Sequence, residues 1–235
     1  MKKLILGLAV TAGSLAFAQT TTTTTTTTKS MSSSDIRFGV KAGMNVASLS
    51  EDAGLEDQKS KIGFNAGVFV NIPIAESFSI QPEVLYSQYG AKIESRDEFT
   101  VAGTTTRNVE SYSTHLDYIT VPVMFQYNFV PNFYIEAGPE LGFMIGAKNK
   151  GDRTTTVTTG STTSTSTASY TDDIDKDNLN TINLGIGLGA GYYFTDNIGV
   201  TARYVAGVTD VAKDRPSGSD AIRNNTFQVG LAYKF

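Results

Sequence analysis

Eight segments of period-two alternation, links between them that are alternately short and long, and aromatic residues gathered beside the short links predict an all-β fold. That fold is an eight-stranded antiparallel up-and-down transmembrane β-barrel with short periplasmic turns and long extracellular loops. Alternation at period two gives a strand two unlike faces, and here one face is apolar from end to end. Alternating link lengths put every long link on one side of the ring, an arrangement that a soluble sandwich has no reason to adopt.

In the first strand Ile36, Phe38, Val40, Ala42, Met44 and Val46 alternate with Arg37, Gly39, Lys41, Gly43 and Asn45. The second sets Ile62, Phe64, Ala66, Val68, Val70, Ile72 and Ile74 against Lys61, Gly63, Asn65, Gly67 and Asn71. In the third, Phe78, Ile80, Val84 and Tyr86 oppose Ser79, Gln81 and Glu83. In the fourth, Ile119, Val121, Val123, Phe125, Tyr127 and Phe129 oppose Thr120, Met124, Gln126 and Asn128. The fifth places Phe133, Ile135, Ala137, Leu141, Phe143 and Ile145 opposite Glu136, Gly138, Glu140 and Gly142. The sixth sets Ile182, Leu184, Ile186, Leu188, Ala190, Tyr192 and Phe194 against Asn183, Gly185, Gly187, Gly189 and Gly191. Those inward glycines leave room for bulky neighbours such as Tyr134 and Tyr193, or relieve curvature. The seventh opposes Ile198, Val200, Ala202 and Tyr204 to Gly199, Thr201 and Arg203; the eighth opposes Phe227, Val229, Leu231, Tyr233 and Phe235 to Gln228, Gly230 and Lys234. Each segment is near the ~9–11 residues that a tilted strand needs to cross a hydrocarbon layer.

The short links are residues 75–77, 130–132 and 195–197; the long ones are roughly 47–60, 88–116, 147–181 and 209–225. Phe78, Tyr127, Phe129, Phe133, Tyr192, Phe194, Tyr233 and Phe235 all lie beside short links or the chain end, where a barrel would gather them into one aromatic girdle at the membrane–water interface. No stretch approaches the roughly 20 apolar residues of a membrane-crossing helix, because lipid-facing and lumen-facing residues alternate.

Residues 1–18 read as a secretory signal peptide: Lys2 and Lys3, the apolar run 4–10, then Ala16-Phe17-Ala18 with small residues at the cleavage positions. Residues 19–35 form a Thr/Ser-rich leader with nothing to bury and are expected to be disordered, leaving 36–235 for the barrel. A second Thr/Ser tract, 154–171, reads as a flexible excursion. The chain has no cysteine, which removes disulfides, a lipid-modified N-terminal cysteine and cysteine chemistry. A net charge of −4 argues against nucleic acid as a partner.

An eight-stranded barrel is just wide enough for its interior side chains to fill it. The inward set includes Arg37, Lys41, Arg203 and Lys234 together with Glu83, Glu136 and Glu140, so a lumen plugged by paired charges is expected. A narrow ion or solute channel lined by the same residues is the alternative. His115, the one histidine, shares a strand face with Ser113 and Asp117, but a catalytic triad is defined by contact and no catalytic residue is assigned. Asp172, Asp173, Asp175 and Asp177 cluster without the glycine and terminal glutamate of an EF-hand, so no metal or cofactor is assigned.

Several motifs then resemble a known family. Gly39-Val40-Lys41-Ala42-Gly43-Met44-Asn45 is similar to the G-x-K-x-G-x-N opening of PorT-like, or "porin family", outer-membrane β-barrels of Bacteroidetes. Ile80-Gln81-Pro82-Glu83-Val84-Leu85-Tyr86, Tyr118-Ile119-Thr120-Val121-Pro122-Val123, Phe133-Tyr134-Ile135-Glu136-Ala137-Gly138-Pro139 and the strand closing on Phe235 follow in the family's order. The resemblance spans about 36–235 and implies a barrel fold without implying an activity. It implies outer-membrane lipid and lipopolysaccharide as surroundings, and the barrel assembly machinery as a partner that reads the Phe235 end. The long loops are then candidate contacts for a protein partner, and service in a secretion system is a further alternative.

Overall fold

The computed structural model describes residues 35–50, 59–213 and 220–235. The predicted signal peptide, the Thr/Ser leader up to residue 34, and parts of two long links (51–58 and 214–219) lie outside the described residues.

The strands are β1 (Arg37–Leu49), β2 (Lys59–Ala75), β3 (Phe78–Val101), β4 (Thr104–Val130), β5 (Phe133–Thr159), β6 (Thr162–Asp173), β7 (Ile182–Tyr193), β8 (Ile198–Gly207) and β9 (Asn224–Lys234), with a 3-10 turn at Lys176–Asn178. Eight of them close a ring, β1-β2-β3-β4-β5-β7-β8-β9 and back to β1, with every pairing antiparallel. The ninth, β6, pairs with the outer half of β5 and lies outside the ring.

Register fixes the shape. Starting at Asn45 on β1, pairing runs through Gln228, Arg203, Gly189, Glu136, Gln126 and Ser79 to Pro73 on β2, whereas Asn45 itself faces Gly63. The circuit therefore returns ten residues along β2 from where it set out. A stagger of that size over eight strands tilts them by roughly 40° and closes a narrow barrel.

The two faces are inverted relative to a water-soluble protein. Ile62, Val68, Ile186, Leu188 and Leu231 point outward and are 55–65% exposed, while Asn45, Gln81, Glu83, Glu136 and Arg203 point inward and are at most 1% exposed. Contiguous apolar surface on this scale needs a lipid neighbour. The inward glycines are sized to their neighbours: a Cβ at Gly191 would overlap the Tyr134 ring, and one at Gly199 would press on Tyr193.

Two expectations are corrected here. The long links 88–116 and 147–181 are largely strand, because β3, β4 and β5 run on past the ring, and the Thr/Ser tract 154–171 is not a flexible excursion but the β5–β6 hairpin. β-Branched threonine favours extended backbone even where both faces are wet. Hydroxyls also pair across the strands, at Thr154–Thr167 (3.1 Å), Thr156–Thr165 (3.3 Å) and Thr158–Thr163 (3.2 Å). Two-residue turns close both hairpins. Ala102 and Gly103 have φ of 48° and 78°, and Gly160 has φ of 58°, as tight turns between twisted strands require.

Candidate functional site

The lumen is filled in three layers. At mid-height Arg203 extends from β8 across the barrel. Its Nη1 and Nη2 donate to the Glu83 carboxylate at 2.9 and 2.7 Å, and its Nε donates to Glu136 Oε1 at 2.7 Å. All three side chains are 0–1% exposed. A planar guanidinium matches a carboxylate with two parallel bonds, so this pairing fixes geometry as well as charge. Lys41 Nζ adds a second cation 3.6 Å from Glu83.

Amides hold the carboxylates in place. Gln81 donates to Glu83 at 2.8 Å, Gln126 donates to Glu136 at 3.0 Å, and Asn71 donates to Gln126 at 2.9 Å and to Ser79 at 3.1 Å. Each acid therefore meets donors on several sides, which repays part of the cost of removing it from water.

Toward the short turns, Phe69, Tyr134, Tyr193 and Ala232 make an apolar layer in which the two tyrosine rings lie 6.1 Å apart. Toward the long loops, Ala47, Tyr89, Leu116, Tyr118, Met144, Ala147 and Val211 form a second apolar layer, with Leu49 at the end of β1 and Ile174, Leu179 and Ile222 from the loops packed against it.

The inward charges separate into groups. Lys41, Glu83, Glu136 and Arg203 come together as described. Glu140 stands apart from the cations: it accepts from Tyr89 Oη at 2.5 Å, and its other oxygen has no hydrogen-bond partner among the described residues. Arg37 does not join the network either, because it sits at the rim and donates to the carbonyls of Phe235 (3.2 Å) and Asp196 (3.1 Å). Lys234 places its ammonium 3.8 Å from the Tyr193 ring centroid instead of against a carboxylate. Both stand at the last inward positions of the ring, too far along their strands to reach the central acids.

The aromatic residues beside the short turns meet in pairs on the outer surface. Ring centroids are 4.8 Å apart for Phe78–Tyr127 and Tyr127–Phe129, 6.1 Å for Phe129–Phe133, 5.4 Å for Tyr192–Phe194 and 5.3 Å for Tyr233–Phe235. Phe235 is 67% exposed, and its backbone N–H donates to the Phe38 carbonyl, tying the chain end to β1.

Beyond the ring, the outer halves of β3, β4 and β5 together with β6 form a four-stranded sheet. Ser95, Asp97, Asn108, Glu110, Arg153 and Thr155 line a shallow polar concavity of about 350 Å³ on it. Arg153 bridges to Glu110 at 3.1 Å, and burial together with the Glu110 carboxylate pushes the Tyr170 hydroxyl up to about 12. The Arg96 guanidinium beside Glu94 holds that carboxyl below the usual range.

Ser113, His115 and Asp117 do share the outward face of β4, but successive members are about 7 Å apart along a strand. Asp117 accepts from Gln88 at 3.2 Å and not from His115. Asp172 and Asp173 lie on β6, whereas Asp175 caps the 3-10 turn by accepting from the Asp177 backbone at 3.0 Å.

An all-antiparallel ring of eight strands, wrapped in an apolar belt around a polar interior, is the architecture of a membrane barrel. The family model described as "Outer membrane protein beta-barrel domain" matches residues 17–213. The chain belongs to this family. This outer-membrane barrel is similar to solved structures of low identity. The Ail protein of Yersinia pestis is 13% identical, with 85% of this chain and 98% of that chain covered and a TM-score of 0.40. Neisserial surface protein A is 16% identical, covering 84% and 97% with a TM-score of 0.40. CarO of Acinetobacter baumannii is 14% identical, covering 82% and 97% with a TM-score of 0.35. Likenesses of this extent carry no functional argument. No curated protein sequence matches this chain.

Proposed function

We propose that this outer-membrane barrel is a sealed anchor that does not conduct, and that it displays the β3–β6 sheet to the outside as a structural or interaction surface. The observation that carries this reading is the Arg203 fork between Glu83 and Glu136, 0–1% exposed at the middle of the lumen. An ion passing along the axis would have to displace a guanidinium held by three charge-assisted bonds, and then two apolar layers. The closing strand β9, pairing with both β1 and β8 and ending in the exposed Tyr233–Phe235 pair, is the segment we assign to the barrel assembly machinery. A partner-bearing role, with the outward sheet as the contact surface, is part of the same reading.

Planar-bilayer recording of the refolded protein tests the seal. Wild type is expected to give no unitary conductance, and Arg203→Ala with Glu83→Ala to give at most brief openings. A stable ohmic conductance in wild type, altered in Glu136→Ala, would replace this reading with a narrow channel.

A further inference from the structure

On the outward face of the barrel, the apolar belt gives way to a basic strip on the side formed by β2 to β5. Ile62, Phe64, Tyr86, Ile119, Phe143 and Ile145 mark its upper limit on β2 to β5, followed by Gln88 and Asp117. In the next cross-strand row His115 pairs with Lys148. In the row beyond, Lys59 faces Lys92 on β3, Lys92 faces Ser113 on β4, and Ser113 faces Lys150 on β5. Neighbouring strands lie about 4.8 Å apart, so Lys92 and Lys150 stand about 10 Å from each other across Ser113.

Like charges directly opposite each other on a sheet repel, and Lys59–Lys92 is such a pair. The nearby acids compensate Lys59 but not Lys92. Glu94 is shared between Arg96 and Lys59, Asp117 accepts from Gln88, and Asp152 accepts from Ser169 at 2.6 Å. Asp173 lies opposite Lys148 but forms no salt bridge with it. Lys92, Lys148 and Lys150 have no salt bridge or side-chain hydrogen bond among the described residues. The arrangement asks for an anion from outside the chain, placed where the apolar belt ends.

We propose that Lys92, Lys148 and Lys150, with His115 and Ser113 as further donors, bind the phosphate groups of an anionic lipid in the leaflet at the long-loop end. Location selects a lipid over a soluble anion, since a headgroup held there lays its acyl chains on Ile119, Phe143 and Ile145. Lysine ammonium groups on flexible stems reach up to a headgroup while their methylenes stay on the belt. This inference rests on the membrane-barrel fold and is independent of whether the lumen is sealed.

The test uses the refolded protein in nanodiscs of phosphatidylcholine with a minority of phosphatidic acid, and counts retained lipids by native mass spectrometry. Wild type is expected to retain phosphatidic acid over phosphatidylcholine, on the order of tenfold beyond the bulk ratio. The triple variant Lys92→Gln, Lys148→Gln, Lys150→Gln should fall to the bulk ratio. Lys213→Gln with Arg223→Gln, exposed basic residues outside the strip, should keep the wild-type preference. Lys92→Gln alone covers a folding failure of the triple variant and should lose part of the preference. Equal enrichment in wild type and the triple variant overturns the proposal. So does equal loss in the control pair, or abolition of the enrichment by millimolar inorganic phosphate, which would mark a site for free phosphate.

Discussion

The barrel body and the sheet that extends from it share three continuous strands, β3, β4 and β5, yet different forces hold them. Inside the ring, the polar face is buried and held by the Arg203–Glu83–Glu136 knot with its amide supports, while the apolar face meets lipid. Beyond the ring, both faces are wet, and order comes from ladder hydrogen bonds, threonine pairs and two tight turns. The same backbone ladder thus persists across a change of solvent, and only the side chains change their task. Damage in the body should therefore be global, whereas damage in the sheet should stay local.

Arg203→Ala should produce the largest effect, because it leaves two buried carboxylates with Lys41, among the described residues, as the remaining cation beside them. A loss of about 3–5 kcal/mol is expected in reversible urea unfolding from vesicles. A change below 1 kcal/mol would mean that the knot is well hydrated. Gly191→Val follows, since its side chain must displace Tyr134; a cost of about 1–3 kcal/mol is expected, largely recovered with Tyr134→Ala in a double-mutant cycle. Gly103→Val forces a β-branched residue to φ of 78° and should cost about 1–3 kcal/mol, confined to the β3–β4 tip. Amide exchange should quicken over 94–109 while the body stays protected; loss of protection in β7 or β9 would refute the separation of the two regions.

The smallest effect concerns Glu94. Its carboxyl is held low first by its hydrogen bond from Arg96 and then by the charges of Arg96 and Lys59. A depressed folded-state value means that the contribution is present above the ordinary carboxylate range and lost as pH falls through the depressed value. Exchange in the β3 extension should therefore quicken on acidification, and Glu94→Gln should remove that dependence. An unchanged pH profile in Glu94→Gln would assign the effect to another group.

The ring was legible because burial of opposite kinds on two faces writes a period-two pattern, and the alternating link lengths then set the topology. The β5–β6 hairpin was not, because a strand wet on both faces needs no alternation, and a Thr/Ser run looks the same folded or not. The signal was present all the same: Gly160-Ser161 and Ala102-Gly103 are two-residue turns between β-favouring runs. In the lumen, strand parity placed Glu83, Glu136 and Arg203 inward, but which acid meets which cation depends on the ten-residue stagger, set by residues as far apart as Glu83 and Arg203. The same limit misassigned Arg37 and Lys234. Phe69 and Tyr89 were missed as lumen residues, although Phe69 sits in the inward register between Gly67 and Asn71.

Because the chain has no cysteine, single thiols can report on the two regions without background. The most direct measurement is the rate of maleimide labelling of the folded protein carrying Thr120→Cys in the lumen, compared with Thr105→Cys on the extended sheet. Labelling at 105 within minutes and none at 120 until the protein is unfolded is the predicted result. Comparable rates at both positions would show an open, hydrated lumen and contradict the sealed-anchor reading.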